Sequence, residues 1–313
     1  MAKVFIDGSA GTTGLRIFER LSGRSDITLI TLPDEKRKDV DARKEALNSA
    51  DIAFLCLPDA AAVEAVSLID NPNTAVIDTS TAHRTADGWT YGFAELSGKR
   101  DEIKNSKRIA NPGCHASGFI ALIAPLVEKG MIGEYAKLTC FSVTGYSGGG
   151  KNMIAQYEAD DADELLKAPR QYALGQTHKH LPEMAKVCEL ENAPVFCPVV
   201  SDFYSGMQVT VPLFASEING TKNDIINVYK EYYGDGLVSF VEDMSDNGFI
   251  SGSKKAGFDD MAVTVAGNDE RILLIAEFDN LGKGASGAAI QNMNILLGLD
   301  EKTGLVTDGG DNQ

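Results

Sequence analysis

Asn111-Pro112-Gly113-Cys114 sets one cysteine just before the apolar run Gly118-Phe119-Ile120-Ala121-Leu122-Ile123. That run reads as a buried helix, which puts Cys114 at or near a helix N-terminus. The first N–H groups of a helix lack intrahelical partners, and the positive end of the helix dipole lies among them. Both favour thiolate over thiol, and cysteines so placed titrate at roughly 3.5–7.5 instead of about 8.5. Gly113 permits close approach of backbone or substrate. The chemistry this predicts is attack by Cys114 on a small electrophile.

Groups able to move a proton are few: His83, His115, His178 and His180 are the only histidines. Two lie in Thr177-His178-Lys179-His180-Leu181-Pro182-Glu183. A near-neutral imidazole there can serve Cys114 as acid and base, with Glu183 holding its tautomer. A pair of surface histidines is the alternative. The motif lacks the further ligands a metal needs, so no metal is expected. Arg84, in Asp78-Thr79-Ser80-Thr81-Ala82-His83-Arg84, follows a strand directly. The C-terminal ends of parallel strands face a ligand crevice, and arginine there suits carboxylate or phosphate; a structural ion pair is the other reading. Thr144-Gly145-Tyr146-Ser147-Gly148-Gly149-Gly150-Lys151 ends another strand, and its N–H groups can form an anion nest.

Gly8-Ser9-Ala10-Gly11-Thr12-Thr13-Gly14 lies between a strand and a helix. In that context the spacing predicts a dinucleotide pyrophosphate at the helix start. Asp34 or Glu35 is placed to take a ribose 2′-OH, but Lys36-Arg37-Lys38 follows at once. A basic triplet in a chain of net charge −16 favours a 2′-phosphate, and so NADP over NAD.

The elements that must position these groups change character along the chain. Strands at 3–7, 27–32, 52–57 and 75–78 alternate with helices at 15–21 and 60–69, the latter capped by Asp59. This pattern predicts βαβ units and a parallel sheet. Beyond Cys114, strands at 138–144, 195–200, 207–214, 261–266 and 272–278 come with fewer helices, as in an α+β unit with a mixed or antiparallel sheet. A last helix, 287–299, is expected to pack on the first domain, and a tail from Asp308 to Gln313 is expected to fray. With 313 residues, 43% hydrophobic and 24% charged, the chain can build two domains. Its negative charge argues against nucleic acid and anionic membranes as partners. Five cysteines without a C-x-x-C pair make neither a disulfide framework nor a zinc site. Cys56, Cys140 and Cys197 read as buried small hydrophobes. With no signal-like start and no span of about 20 apolar residues, a cytoplasmic location is expected.

Taken in order, these motifs resemble the short-form N-acetyl-gamma-glutamyl-phosphate reductases of the semialdehyde dehydrogenase superfamily. The resemblance is carried by residues 8–14, 78–84, 111–114, 145–151 and 178–183, and by Lys283-Gly284-Ala285-Ser286-Gly287 through Gln291-Asn292. It implies a Rossmann domain over 1–113 plus 284–313 and an inserted catalytic and oligomerisation domain over 114–283. It also implies NADPH as reductant, an anionic acyl phosphate as substrate, a place in arginine biosynthesis, and a homo-oligomer (dimer or tetramer). On this resemblance Cys114 is the nucleophile, and His180 with Glu183 is the acid–base pair. Arg84, Ser80, His178 and Ser147 would meet substrate. Gly8, Gly11, Thr12, Thr13, Gly14, Arg37 and Asn292 would meet the cofactor. One departure stands out: the family commonly has Tyr-Pro-Thr after the cysteine, where this chain has His115-Ala116-Ser117, so His115 competes as the acid–base residue. Reductases of aspartyl phosphate or of an aminoadipate derivative would share the chemistry. A non-catalytic dinucleotide sensor would keep the glycine loop but have no need of Cys114.

Overall fold

The computed structural model describes residues 1–234 and 236–308. The chain forms two compact units, Met1–Gly113 with Ala285–Leu305, and Cys114–Gly284 with the described residues from Val306.

The first unit opens with β1 (Ala2–Asp7), α1 (Thr12–Ser22), β2 (Ile27–Ile30), α2 (Val40–Ser49), β3 (Ile52–Leu55), α3 (Asp59–Ser67) and β4 (Ala75–Asp78). β5 (Thr90–Tyr91), α4 (Lys99–Asn105) and β6 (Arg108–Ala110) complete this stretch. Its sheet has the order β2-β1-β3-β4-β6-β5, with every pair parallel. Ile52–Leu55 is buried at every position, as a strand covered on both faces must be. The closing helix Gly287–Leu297 joins this core, with Ala289, Ile290 and Met293 packed among Val4, Phe54, Ile77 and Ile109. Strand order reverses between β1 and β3, which makes that edge the topological switch point.

Asp59 does not cap α3. The helix starts at Asp59 itself after Pro58, and the carboxylate instead accepts from the N–H (2.8 Å) and Oγ1 (2.5 Å) of Thr81. An acidic residue at a helix start can cap it or reach sideways, and the hydroxyl-bearing loop after β4 takes this one.

The second unit begins with α5 (Cys114–Glu128), β7 (Thr139–Gly145), α6 (Gly150–Tyr157), β8 (Arg170–Gln171), α7 (Leu181–Val187) and β9 (Val195–Ser201). β10 (Met207–Phe214), α8 (Lys222–Tyr232), β11 (Val238–Phe240), β12 (Met261–Gly267) and β13 (Arg271–Phe278) follow. The mixed sheet runs β11-β12-β13-β10-β7-β9-β8. α5 is buried from His115 through Leu126 and lies against this sheet. A Cβ on Gly118 would sit 2.5 Å from Cγ2 of Val209 and 2.9 Å from Cε1 of Phe278. Gly118→Ala should therefore lower the unfolding free energy by about 1–3 kcal/mol, read from urea denaturation. An unchanged midpoint would contradict so close a helix–sheet contact.

Val306 and Asp308 are tied to the second unit. Asp259 N–H donates to the Val306 carbonyl at 2.6 Å, and Val306 N–H donates back to Asp259 Oδ2 at 2.9 Å. Asp308 N–H reaches Asp260 Oδ1 at 3.2 Å, and Lys255 pairs with Asp308. The expected frayed tail from 309 to 313 lies outside the described residues. No helix among the described residues is long and apolar enough to cross a membrane.

Candidate functional site

In the first unit the glycine loop is shaped by steric exclusion. Gly8 has φ +88°, and a Cβ there would run into the carbonyl of Cys56, directly after β3. A Cβ at Gly14 would collide with the Gly8 carbonyl, and Gly11 N–H closes the turn onto that carbonyl at 3.0 Å. Thr12 and Thr13 open α1, whose first turn holds no acidic residue, so its N–H groups face the loop without a competing anion. Lys36 and Arg37 follow β2, which lies beside β1, in a short turn where Arg37 pairs with Asp34 at 2.7 Å.

Asp78, at the end of β4, organises the loop after it. It accepts from Ser80 N–H (2.9 Å) and Ser80 Oγ (2.7 Å), and lies 2.6 Å from His83 Nδ1, whose ring stacks on Trp89. The Arg84 guanidinium turns inward, donating from Nε to the carbonyl of Asn111 (3.0 Å) and from Nη2 to that of Thr79 (3.1 Å). It thereby braces the segment that leads into Cys114. Asn292 is fully buried and donates to the Gly92 carbonyl at 2.9 Å, while its Oδ1 has no hydrogen-bond partner among the described residues. A buried amide oxygen left unmatched is costly, and a nicotinamide carboxamide N–H is a donor of the right kind. With the Gly8–Gly14 cradle, this orphan acceptor fits a dinucleotide.

In the second unit Cys114 is the first residue of α5 and is partly exposed. A Cβ on Gly284 would lie 2.9 Å from the Cβ of Cys114, so only glycine allows this approach. Three histidines converge here. The ring centroid of His115 lies 5.7 Å from that of His178 and 5.6 Å from that of His180, which are themselves 4.7 Å apart. His180 N–H donates to His178 Nδ1 at 3.2 Å. His180 Nε2 lies 4.0 Å from Oε1 of the buried Glu183. That separation gives charge proximity, whereas a tautomer-fixing hydrogen bond needs a shorter contact.

His115 is not arranged as the acid–base group. Nδ1 pairs with Ser142 Oγ at 2.8 Å and Nε2 with Tyr172 Oη at 2.6 Å. Burial, with the nearby His178, pushes its pKa down to about 3. The unfolded chain takes up this proton below about pH 6.5, whereas the folded chain refuses it until about 3, so folding loses stability as pH falls through that window. Below about pH 6 the wild type should lose about 1.4 kcal/mol more per pH unit than His115→Asn in urea titrations. Parallel slopes would contradict a buried neutral His115.

Tyr172 and Ser142 were not legible as site residues. Burial, reinforced by Cys114, pushes the Tyr172 hydroxyl upward. Ser142 is a buried hydroxyl on β7, a strand that also carries Thr139 and Thr144, so its residue type did not single it out. The expected anion nest at 145–151 is largely used up. The N–H groups of Gly145, Tyr146 and Ser147 donate to the carbonyls of Gly206, Phe203 and Tyr204, and Ser147 Oγ accepts from Asn280 Nδ2 at 3.0 Å. These bonds tie the loop to residues 203–206 and to Asn280.

A parallel dinucleotide sheet and a second unit presenting a helix-start cysteine define a class of oxidoreductase. Two family models match: "Semialdehyde dehydrogenase, NAD binding domain" over residues 3–106 and "Semialdehyde dehydrogenase, dimerisation domain" over residues 114–280. N-acetyl-gamma-glutamyl-phosphate reductase 2 of Nostoc sp. is 44% identical, covering 97% of this chain and 99% of its own. The N-acetyl-gamma-glutamyl-phosphate reductase of Sinorhizobium medicae is also 44% identical, over 94% and 98%. The chain belongs to the semialdehyde dehydrogenase family and, within it, to the N-acetyl-gamma-glutamyl-phosphate reductases. Aspartate semialdehyde dehydrogenase II from Vibrio cholerae shares the fold at TM-score 0.71 and 16% identity, covering 95% of this chain and 98% of that one. A structure titled as aspartate semialdehyde dehydrogenase with NADP, from Candida albicans, aligns at TM-score 0.68 and 14% identity, over 94% and 98%.

Proposed function

We propose that this protein reduces N-acetyl-gamma-glutamyl phosphate to N-acetylglutamate 5-semialdehyde with release of phosphate, in arginine biosynthesis. The observation that carries the reading is Cys114 at the first position of α5, beside the histidine cluster. The Cys114 thiolate attacks the acyl carbonyl. A carbon–sulfur bond forms, the carbon–oxygen bond to phosphate breaks, and inorganic phosphate leaves. A covalent thioester separates this displacement from reduction. N–H groups of the first turn of α5 are placed to stabilise the oxyanion. NADPH, when bound, supplies the hydride for the thioester carbon. His180 gives a proton to the tetrahedral oxygen and takes it back as the carbon–sulfur bond breaks and the thiolate returns. Glu183 supports the charged form of His180 from 4.0 Å.

Gly8, Gly11, Thr12, Thr13, Gly14 and Asn292 are the residues we assign to the dinucleotide, with Arg37 and its neighbours for the 2′-phosphate. Arg84, Ser80, His178 and Ser147 are assigned to substrate binding, Arg84 and Ser147 chiefly by fixing the loops that meet it. Replacing Lys36, Arg37 and Lys38 by glutamine should raise KM for NADP about tenfold and leave NAD nearly unchanged. Equal effects on both would remove the 2′-phosphate assignment.

The cytoplasm is the assigned location, and the assigned state is a homo-oligomer. The sheet face opposite α5 supports the latter, since it exposes Phe141, Val195, Phe214 and Leu273.

The test is the reverse reaction, supplying N-acetylglutamate 5-semialdehyde, phosphate and NADP, with aspartate semialdehyde in parallel. Phosphate-dependent NADPH formation with the acetylated aldehyde is expected. Turnover of aspartate semialdehyde alone would overturn the substrate and keep the mechanism.

A further inference from the structure

Within that acyl-phosphate reading, we propose that Arg170 is a substrate-binding residue that holds the unreacting carboxylate at the far end of the substrate. The chain carries 45 acidic against 29 basic residues, so an arginine without an acidic partner is conspicuous. Arg170 is one. Nη2 donates to the Tyr157 hydroxyl at 3.1 Å and the guanidinium carbon lies 5.5 Å from the Tyr157 ring, while Nε is buried with no hydrogen-bond partner. Tyr157 is itself stacked on Tyr146 at 4.6 Å, so the arginine stands on an aromatic platform with a donor unspent. The residue remains partly exposed, which leaves its planar fork within reach of a small anion.

Sheet register places it on the face of the nucleophile. Arg170 pairs with Val200, Val200 with Thr144, Thr144 with Met207, and Met207 with Phe278. Directly paired residues share one face. Phe278, in this row, stands beside the position where a Cβ on Gly284 would meet Cys114. The neighbouring row holds Ser142 and Val209, and Tyr172 N–H bonds the Pro198 carbonyl in the same row. Arg170 and Tyr172 are two residues apart on one edge, and Tyr172 carries the contact to His115.

Strand order also sets Arg170 at a distance from the strands that α5 lies against. β8 is the sheet edge, three strand spacings from β10, about 14 Å away. The phosphate sits on the carbon that Cys114 attacks, whereas the fixed carboxylate lies at the other end of a five-carbon chain. An arginine reaching inward from the edge meets the second group.

The experiment uses the reverse reaction of the full chain with two aldehydes, N-acetylglutamate 5-semialdehyde and its C1 carboxamide. For the carboxylate substrate, Arg170→Gln should lower kcat/KM about 30-fold, mostly through KM, and leave KM for phosphate unchanged. For the carboxamide, wild type should already be slow and the variant within about threefold of it, since the charge that the arginine meets is gone. Arg170→Lys should recover part of the preference, and it reads the same selectivity if the glutamine variant does not fold. Equal losses on both substrates would make Arg170 a structural brace and overturn the proposal. So would a rise confined to KM for phosphate. A wild type inactive on the acetylated aldehyde would overturn the underlying function as well, before any variant is compared.

Discussion

Cys114→Ala abolishes phosphate-dependent NADP reduction, with kcat lower by about four orders of magnitude or more, and leaves dinucleotide affinity where it was. The expected size follows from losing a covalent nucleophile, for which alanine substitution in a comparable catalytic unit removes about 10⁶ in kcat. The unchanged affinity follows from placement. Gly8–Gly14 and Asn292 belong to the first unit, and Cys114 begins the second. No other thiol is prepared to substitute. Burial pushes Cys56 up to about 12, and it raises Cys140 and Cys188 further. Cys197 falls between Phe196 and Pro198 on β9, pointing to the sheet face away from α5. Cys114→Ser keeps an oxygen nucleophile without an accessible anion and should be nearly as inactive. Stopped-flow NADPH absorbance and dinucleotide fluorescence read the two halves of this expectation. Residual turnover within about tenfold of wild type would remove the thioester route, because no hydroxyl or water at that position recovers four orders of magnitude.

How much of this was legible depends on the range over which each signal acts. Ala75–Asp78 and Met207–Phe214 are apolar blocks whose bounds follow from local composition, and the structure has them at those limits. The spacing at 8–14 carries its own steric reason, since Gly8 and Gly14 each stand where a Cβ would strike backbone. Helices α2, α4, α6 and α8 left weaker traces, being polar on most sides and short. α8 had a readable start, because Thr221 and Asp224 cap one another. Side-chain alliances across long separations were beyond reach. Tyr172 meets His115 from 57 residues away and Ser142 meets it from 27, and nothing local in either marks the encounter. His115 shows the cost most clearly. In sequence it is a histidine adjacent to the nucleophile and so a rival acid–base group, whereas packing gives both its nitrogens fixed partners and keeps it neutral. The loop after β7 failed similarly. Glycines advertise available N–H groups, but the segment 203–206 takes those of Gly145, Tyr146 and Ser147 first.

The second large effect discriminates among the three clustered histidines. His180→Gln should lower kcat by about 10²–10⁴, the usual worth of a positioned general acid–base group. The loss should appear in kcat and kcat/KM together, because the proton moves only once the tetrahedral oxygen has formed. His178 sits differently. Its Nδ1 accepts the His180 N–H at 3.2 Å, so it shapes the turn into α7 at which His180 stands. His178→Gln retains an acceptor of similar reach and should cost about tenfold or less, with KM moving more than kcat. His115→Asn should cost activity only through Tyr172, and its pH profile should keep the wild-type midpoint, because a group held near pKa 3 contributes no titration between pH 5 and 9. In His180→Gln that midpoint should disappear and the profile flatten. A flattened profile in His178→Gln with a normal one in His180→Gln would transfer the acid–base role to His178. The nucleophile would be untouched, since both rings belong to one cluster that includes His115 of α5.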